Sequence, residues 1–308
     1  MELIRGLYNL RPRHHGSVVT IGNFDGVHQG HQVILSQLQA AGVALGLPDT
    51  VMIFEPQPQE FFQGDEAPAR LMHWRDKVDA LAAAGVARVL CVRFDEKFRA
   101  LTARQFVQQL LVDGLGCQHL VIGDDFRFGC DRSGDFSVLQ AAGDEFGFAV
   151  NNTDTVMVDD DRVSSTRIRM ALSAGDFAQA ARLLGRPYTI SGHVTHGDKI
   201  GRTLAVPTAN IPSRRRVSPV HGVYAVTVEG VAAAPVFGAA SVGKRPTVHG
   251  LDERVETHLL DFSGDIYGKR IRVEFHHKLR DELKFNSLDE LKTAMQKDIA
   301  ETRQYFNI

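Results

Sequence analysis

The sequence predicts a two-domain α/β chain: a doubly wound parallel sheet first, then a β-rich antiparallel domain that ends in a helix. Three observations carry this. From residue 17 to about residue 159, short apolar runs alternate with helical patterns, the succession that builds a parallel sheet with helices on both faces. After Gly185 the segments become β-rich, with Gly and Pro between them. The last stretch returns to helical spacing. The 308 residues are enough for two cores. The boundary is expected near residues 184–187, giving domains 1–185 and 186–308.

The first-domain strands are expected at 17–22 (SVVTIG), 50–54 (TVMIF), 89–94 (VLCVRF), 119–123 (HLVIG) and 148–150. Apolar residues at successive positions suit strands buried on both faces. Helices are expected at 32–45, 76–84, 103–113 and 136–146, followed by two short ones at 165–174 and 176–184. Beyond them, 188–195, 223–229, 236–242, 255–262 and 270–275 read as strands of an antiparallel barrel or sandwich. Residues 287–306 carry Leu288, Leu291, Met295 and Ile299 at helical spacing, and Ser287 with Glu290 makes a capping-box pattern at the start.

Charge and cysteine usage narrow the function. Lys and Arg total 35 against 37 Asp and Glu, a formal net charge of −2, without the basic excess of a nucleic-acid binder. Cys91, Cys117 and Cys130 are odd in number and lack CxxC spacing, which fits neither a disulfide framework nor a zinc site. Residues 1–15 are polar with Arg5, Arg11 and Arg13, unlike a signal peptide. No later stretch reaches the ~20 apolar residues of a membrane span. A cytoplasmic protein with neither nucleic-acid nor membrane partners is expected; the sequence sets no oligomeric state.

Two stretches carry chemistry. GNFDGVHQGH, residues 22–31, follows the first apolar run and leads into the first helix. Gly22, Gly26 and Gly30 permit a tight turn and close ligand approach, and N–H groups at the helix start suit phosphate oxygens. His28 and His31 share one side of a helical turn, placed to stabilise charge developing on a phosphate. The pattern is neither GxGxxG nor GxxxxGK[ST]. The second stretch, residues 192–211, holds Gly192, Gly197 and Gly201 ahead of PTAN at 207–210. Thr208 and Asn210 alternate in an extended segment and so face one way, an oxygen pair that suits Mg²⁺. Taken alone, HxxH also suits a structural pair, and PTAN an ordinary turn.

Taken together, the motifs resemble the bifunctional riboflavin kinase/FMN adenylyltransferases of bacteria. GNFDGVHQGH is similar to the signature of nucleotidylyltransferases. FEPQP at 54–58, GDDFRFG at 123–129 and SSTRIR at 164–169 follow in the family's order. GVYAV at 222–226, SVGKRPT at 241–247, VETHLLDF at 255–262 and LRDELKF at 279–285 match its kinase half. The resemblance implies a Rossmann-like adenylyltransferase domain and an antiparallel β-barrel kinase domain with a terminal helix. It implies ATP, riboflavin and FMN as substrates, FAD as product, and Mg²⁺ as cofactor. In the first half, Gly22, Phe24, Asp25, Gly26, His28, His31, Asp125, Ser164, Ser165, Thr166 and Arg169 would bind the nucleotide. Phe54, Pro56, Pro58 and Phe128 would wall the flavin slot. In the second half, Gly192, Gly197, Gly201, Thr208 and Asn210 would bind ATP, with Thr208 and Asn210 on the metal. Arg280 would contact the flavin, and Glu256 would be the general base.

Chemistry supports these roles. The FMN phosphate is already anionic, so His28 and His31 are expected as electrostatic stabilisers rather than bases. A primary alcohol is a poor nucleophile at pH 7, which gives Glu256 a task. One departure stands out. The kinase pattern GRxLG, an aromatic residue, then PTAN reads here with Ala205 and Val206 in place of the Gly and the aromatic. That leaves a second enzyme reading in which the barrel only holds flavin.

Overall fold

The computed structural model describes residues 1–196, 206–212, 217–247 and 250–308. The chain divides into two compact units, Met1–Pro68 with Trp74–Ser164, and Ala69–His73 with Ser165–Ile308.

The first unit is built on β1 (Glu2–Arg5), β2 (Ser17–Ile21), β3 (Asp49–Glu55), β4 (Arg88–Arg93), β5 (Cys117–Gly123) and β6 (Ala149–Thr153). All six are parallel, in the order β1-β4-β3-β2-β5-β6. Every residue of β2 is buried, as two-sided packing requires. The helices are α1 (Gln29–Leu45), α2 (Pro58–Gln63), α3 (Trp74–Ala83), α4 (Glu96–Arg99), α5 (Ala103–Phe106) and α6 (Phe136–Phe146). From β2 the chain winds outward through β3 to β4, then crosses to β5 on the other side. The neighbouring carboxyl ends of β2 and β5 therefore form a topological switch point, where doubly wound sheets bind ligands.

Two features depart from expectation. β1 was not anticipated: it is a polar edge strand, only Ile4 of its four residues is buried, and it pairs with β4 alone. The helix expected over 103–113 is α-helical only to Phe106, capped by Thr102, and continues as a π-helical turn over Val107–Val112.

In the second unit, α7 (Ser165–Ser173) and α8 (Phe177–Leu184) lead into β9 (Thr189–His193), β10 (Thr208–Pro212), β11 (Gly222–Glu229), β12 (Val236–Thr247), β13 (Gly250–Leu259) and β14 (Arg270–Arg280). The strands are antiparallel in the order β10-β13-β12-β11-β14-β9. The two end strands approach each other, and Thr195 N donates to Asn210 O at 2.8 Å. The sheet is thus a nearly closed barrel, not a sandwich. A Cβ at Gly192 would collide with the Ile211 side chain, so glycine there lets β9 and β10 close.

Phe177 of α8 packs against Tyr224 and Phe275 of the barrel, with ring centroids 5.5 and 5.9 Å away. β10 was foreseen only as an extended segment, and β12 to β14 reach beyond their expected limits. The final helix, α9 (Leu288–Phe306), starts where the capping pattern placed it. Ser287 Oγ accepts from Glu290 N at 3.2 Å, but the Glu290 carboxylate reaches back to Asn286 N rather than to Ser287.

Candidate functional sites

The turn after β2 is held in an unusual conformation. Phe24 and Val27 adopt φ of 46° and 40°, and Gly26 lies at 87°. Left-handed backbone at two non-glycine residues, one of them β-branched, is costly and marks a site held in place by its surroundings. Phe24, Asp25, Val27 and His28 are buried. Gly22 N donates to Met52 O at 3.1 Å, Gln32 Nε2 to Val27 O at 3.2 Å, and Lys77 Nζ to Asn23 O at 2.7 Å.

His28 is the N-cap of α1, and the two histidines cap one another. His28 Nδ1 accepts from His31 N, and His31 Nδ1 accepts from His28 N, both at 3.3 Å. A backbone N–H can only donate, so each neutral ring carries its proton on Nε2. The rings stack with centroids 3.6 Å apart and planes 15° from parallel. The pair therefore presents two oriented N–H donors beside a helix N-terminus, a setting for anions. Gly30 makes room: a Cβ there would stand 3.2 Å from His28 Cε1 and 3.8 Å from the Val163 carbonyl oxygen. That contact brings residue 163, just ahead of Ser164, to the start of α1.

The loops after the flanking strands carry the other motifs. Following β5, Asp124 and Asp125 are both paired with Arg162, at 3.1 and 2.8 Å, and Thr155 Oγ1 donates to Asp124 at 2.6 Å. Arg162, on the short hairpin of β7 (Met157–Val158) and β8 (Asp161–Arg162), belongs to no motif. Asp135 caps α6; bonds from Ser137, the Val138 N–H and Arg127 hold its carboxyl down at about 2. Following β3, the Glu55–Pro56 peptide is cis and Pro58 opens α2.

Phe54 and Phe128 are buried in one aromatic cluster. Phe54 meets Phe94 and Phe98, Phe98 meets Phe106, and Phe106 meets Phe128 at 4.9 Å. Phe61, Phe62 and Phe126 extend the cluster outward, and Phe62 is largely exposed. Phe61 and Phe62 were missed because they lie just beyond FEPQP, whereas Phe126 stands within GDDFRFG and was passed over beside Phe128. Ser165, Thr166 and Arg169 stand on α7 in the second unit, where Arg169 Nε donates to Ala69 O at 2.5 Å.

In the barrel the register fixes the geometry. Asn210 lies directly opposite Glu256, and Thr208 opposite His258. Across the next ladder, Ser241 pairs with Glu256 and Ala239 with His258. Directly paired residues share a face with Cβ atoms about 4.5–5.5 Å apart, so Thr208, Asn210, Glu256, His258 and Ser241 form one polar row. His258 Nδ1–H donates to Pro207 O at 2.9 Å, tethering the strand that carries Thr208. The Asn210 amide N–H₂ is turned to Thr208 O at 3.3 Å.

Thr208, Ser241, Glu256 and His258 of the row line a cavity of about 910 Å³ whose opposite wall is Leu288, Leu291, Met295 and Ile299 of α9 together with Phe285. The apolar stripe of α9 thus faces the cavity and stays partly exposed. Val206, the departure from the expected aromatic, is buried and lines the same cavity; Gly197, Gly201 and Ala205 lie outside the described residues. The Arg280 guanidinium is engaged by Asp298 of α9 through two 2.7 Å bonds, not by Asp281 or Glu282 side chains. Among the described residues no group of three or more His, Cys, Asp or Glu side chains is arranged to hold a metal.

The comparisons agree with this division. Residues 10–167 match a family model described as FAD synthetase, and residues 184–306 one described as riboflavin kinase. A bifunctional riboflavin kinase/FMN adenylyltransferase of Pseudomonas fluorescens is 54% identical over 304 residues, covering 98% of this chain and 97% of its own. The protein of the same description from Escherichia coli K12 is 51% identical over 309 residues, covering 100% and 99%. A solved structure of a macrolide-efflux protein from Streptococcus pneumoniae shares the fold with a TM-score of 0.81 at 30% identity, covering 98% and 99%.

Proposed function

The chain belongs to the bifunctional riboflavin kinase/FMN adenylyltransferase family and makes FAD from riboflavin in two ATP-consuming steps, and from that premise we propose which residues carry each step. We place the functional division near residue 185; the matched spans, 10–167 and 184–306, support a boundary in this part of the chain.

In the adenylyltransferase, an FMN phosphate oxygen bonds to the α-phosphorus of ATP as the bond to the β-phosphate bridge breaks and pyrophosphate leaves. No proton needs removing. The Nε2–H donors of His28 and His31 meet the charge that develops on the α-phosphoryl oxygens, and the reciprocal capping that orients them is the observation supporting this role. Gly22, Phe24, Asp25 and Gly26 shape the turn around the nucleotide, and Asp125 borders it, held by Arg162. Ser164, Ser165, Thr166 and Arg169 supply hydroxyls and charge to the leaving pyrophosphate. Phe54, Pro56, Pro58 and Phe128 border the flavin, with Phe62 and Phe126 completing its apolar side.

In the kinase, Glu256 takes the proton of the riboflavin 5′-hydroxyl, whose oxygen bonds to the γ-phosphorus as ADP leaves. The shared face of Thr208, Asn210 and Glu256 on adjacent strands supports this most directly. The Thr208 hydroxyl and Asn210 carbonyl oxygen are hard donors of the kind Mg²⁺ takes beside phosphates and water, and an ion held there would neutralise phosphate charge. The apolar wall of α9 suits the flat flavin ring, and Arg280 acts on that ring by fixing the wall. Gly192 serves ATP indirectly, by letting the barrel close behind Asn210. The near-balanced charge favours small-molecule substrates over nucleic acid, and three reduced cysteines fit the cytoplasm. Among the described residues no helix is long and apolar enough to cross a membrane.

The test is a chromatographic time course with riboflavin, ATP and Mg²⁺. FMN appears first and FAD follows. Glu256→Gln lowers FMN formation by about 10²–10⁴-fold while added FMN still becomes FAD; His28→Ala does the reverse. If Glu256→Gln phosphorylates riboflavin at the normal rate, the assignment of the base is wrong.

A further inference from the structure

We propose that Lys77, which no motif contains, is a positioning residue of the adenylyltransferase: its buried ammonium holds the turn over residues 22–28 in the shape that aims His28 and His31. The inference rests on the nucleotide site proposed above. Lys77 sits on α3 with its neighbours Val78 and Leu81, on the face turned into the protein, and it is only 1% exposed. Lysine is rarely buried to that extent, because an ammonium out of water is costly unless partnered. Its Nζ donates to Asn23 O at 2.7 Å, across 54 residues of chain.

That carbonyl immediately precedes the strained part of the turn, where Phe24 and Val27 have positive φ. Each such residue costs about 1–2 kcal/mol and persists only where the surroundings impose it. The Lys77 bond is short and charge-assisted, stronger than the neutral contacts at the same turn. It fixes the residue from which the chain enters the left-handed path.

Lys77 also brings its charge to the carboxyl end of β2, two residues before Asn23. Burial pushes the Cys91 thiol of β4 up to about 11, with Glu55 adding to the rise and the Lys77 charge opposing it. A positive charge on Asn23 O, in the turn that leads into α1, favours the same anion that the helix N-terminus favours. A purely architectural position would accept an apolar side chain of equal length. An ammonium tied to the most strained segment of the site serves the geometry of that turn.

The experiment uses the full-length protein, whose kinase half is an internal control. Lys77→Met keeps the length of the side chain and removes its charge and donor. The expected result is an adenylylation kcat lower by about 10- to 100-fold, the range of one charge-assisted hydrogen bond, with KM for ATP raised. KM for FMN and riboflavin phosphorylation stay within about twofold, and Lys77→Arg, which retains donor and charge, recovers most of the rate. Two results overturn the proposal: a Lys77→Met protein that adenylylates FMN normally, or one whose losses follow unfolding of the first unit in near-ultraviolet circular dichroism. His28→Ala is measured alongside. If it is slow while Lys77→Met is normal, only the role of Lys77 fails; if both are normal, the nucleotide site itself has been misplaced.

Discussion

Replacing Arg280 by Met separates two roles that a basic residue beside a flavin cavity can play. As a ligand contact, Arg280 would affect riboflavin affinity and leave folding alone. The structure ties it instead to Asp298 of α9 by a bidentate pair at 2.7 Å, with the Arg side chain 22% and the Asp side chain 6% exposed. Two unit charges about 4 Å apart attract by about 4 kcal/mol at an effective dielectric of 20. Breaking such a pair from one side costs about 3–5 kcal/mol when both partners are buried, because the surviving charge is stranded.

Arg280 retains some contact with water, so about 2–3 kcal/mol is the appropriate loss. In a unit of this size that lowers Tm by roughly 4–12 °C. Asp298→Ala should destabilise similarly. The double variant Arg280→Met/Asp298→Leu should recover part of the loss, since an apolar pair leaves no buried charge. α9 carries one wall of the cavity, so KM for riboflavin should rise together with the loss of stability in both single variants, and FMN adenylylation should not change. The assays are thermal unfolding followed by circular dichroism and initial rates of FMN formation. If Arg280→Met unfolds at the wild-type temperature while KM for riboflavin rises, Arg280 is a ligand contact and the strut argument is refuted.

Two further outcomes follow from burial. Phe54→Ala empties a site within the aromatic cluster and should cost about 3–5 kcal/mol by urea denaturation of the first unit; a loss below about 1 kcal/mol would mean that the cluster collapses to fill the space. Burial lowers the pKa of His119, and also that of His276, where Glu274 opposes the shift. The unfolded chain thus binds protons more readily than the folded one, and the stability tied to these neutral rings is complete above the ordinary histidine value of 6.5 and declines as pH falls below it. Tm should drop between pH 7 and pH 5.5, and His276→Gln should flatten part of the drop; a Tm that rises over that interval would contradict the assignment.

The parts of this protein legible in its sequence are those whose signal is local. β2 is fully buried, so five successive apolar or small residues announced it. α9 announced itself by its period and by Ser287. β1 gave no such signal, because an edge strand needs only Ile4 inside and can otherwise be polar. The closing of the barrel was invisible for a different reason: it depends on Thr195 meeting Asn210 and on Gly192 yielding space to Ile211, and pattern alone left barrel and sandwich equally open.

The same distinction explains the sites. The motifs mark loops at strand ends, where glycine, histidine and hydroxyl residues cluster along the chain. The groups that orient those loops come from elsewhere: Lys77 reaches Asn23 across 54 residues, Arg162 reaches Asp124 across 38, His258 reaches Pro207 across 51, and Asp298 reaches Arg280 across 18. Apart from His258, which stands within VETHLLDF, none has a local signature of function, although Lys77 breaks the apolar face of α3, a conflict that a packed helix tolerates only when the charge is partnered. A buried charge interrupting an apolar helix face is therefore a sequence signal in its own right. It says that some backbone group distant in the chain is held by that charge, and here that group is the carbonyl on which the strained turn of the nucleotide site begins.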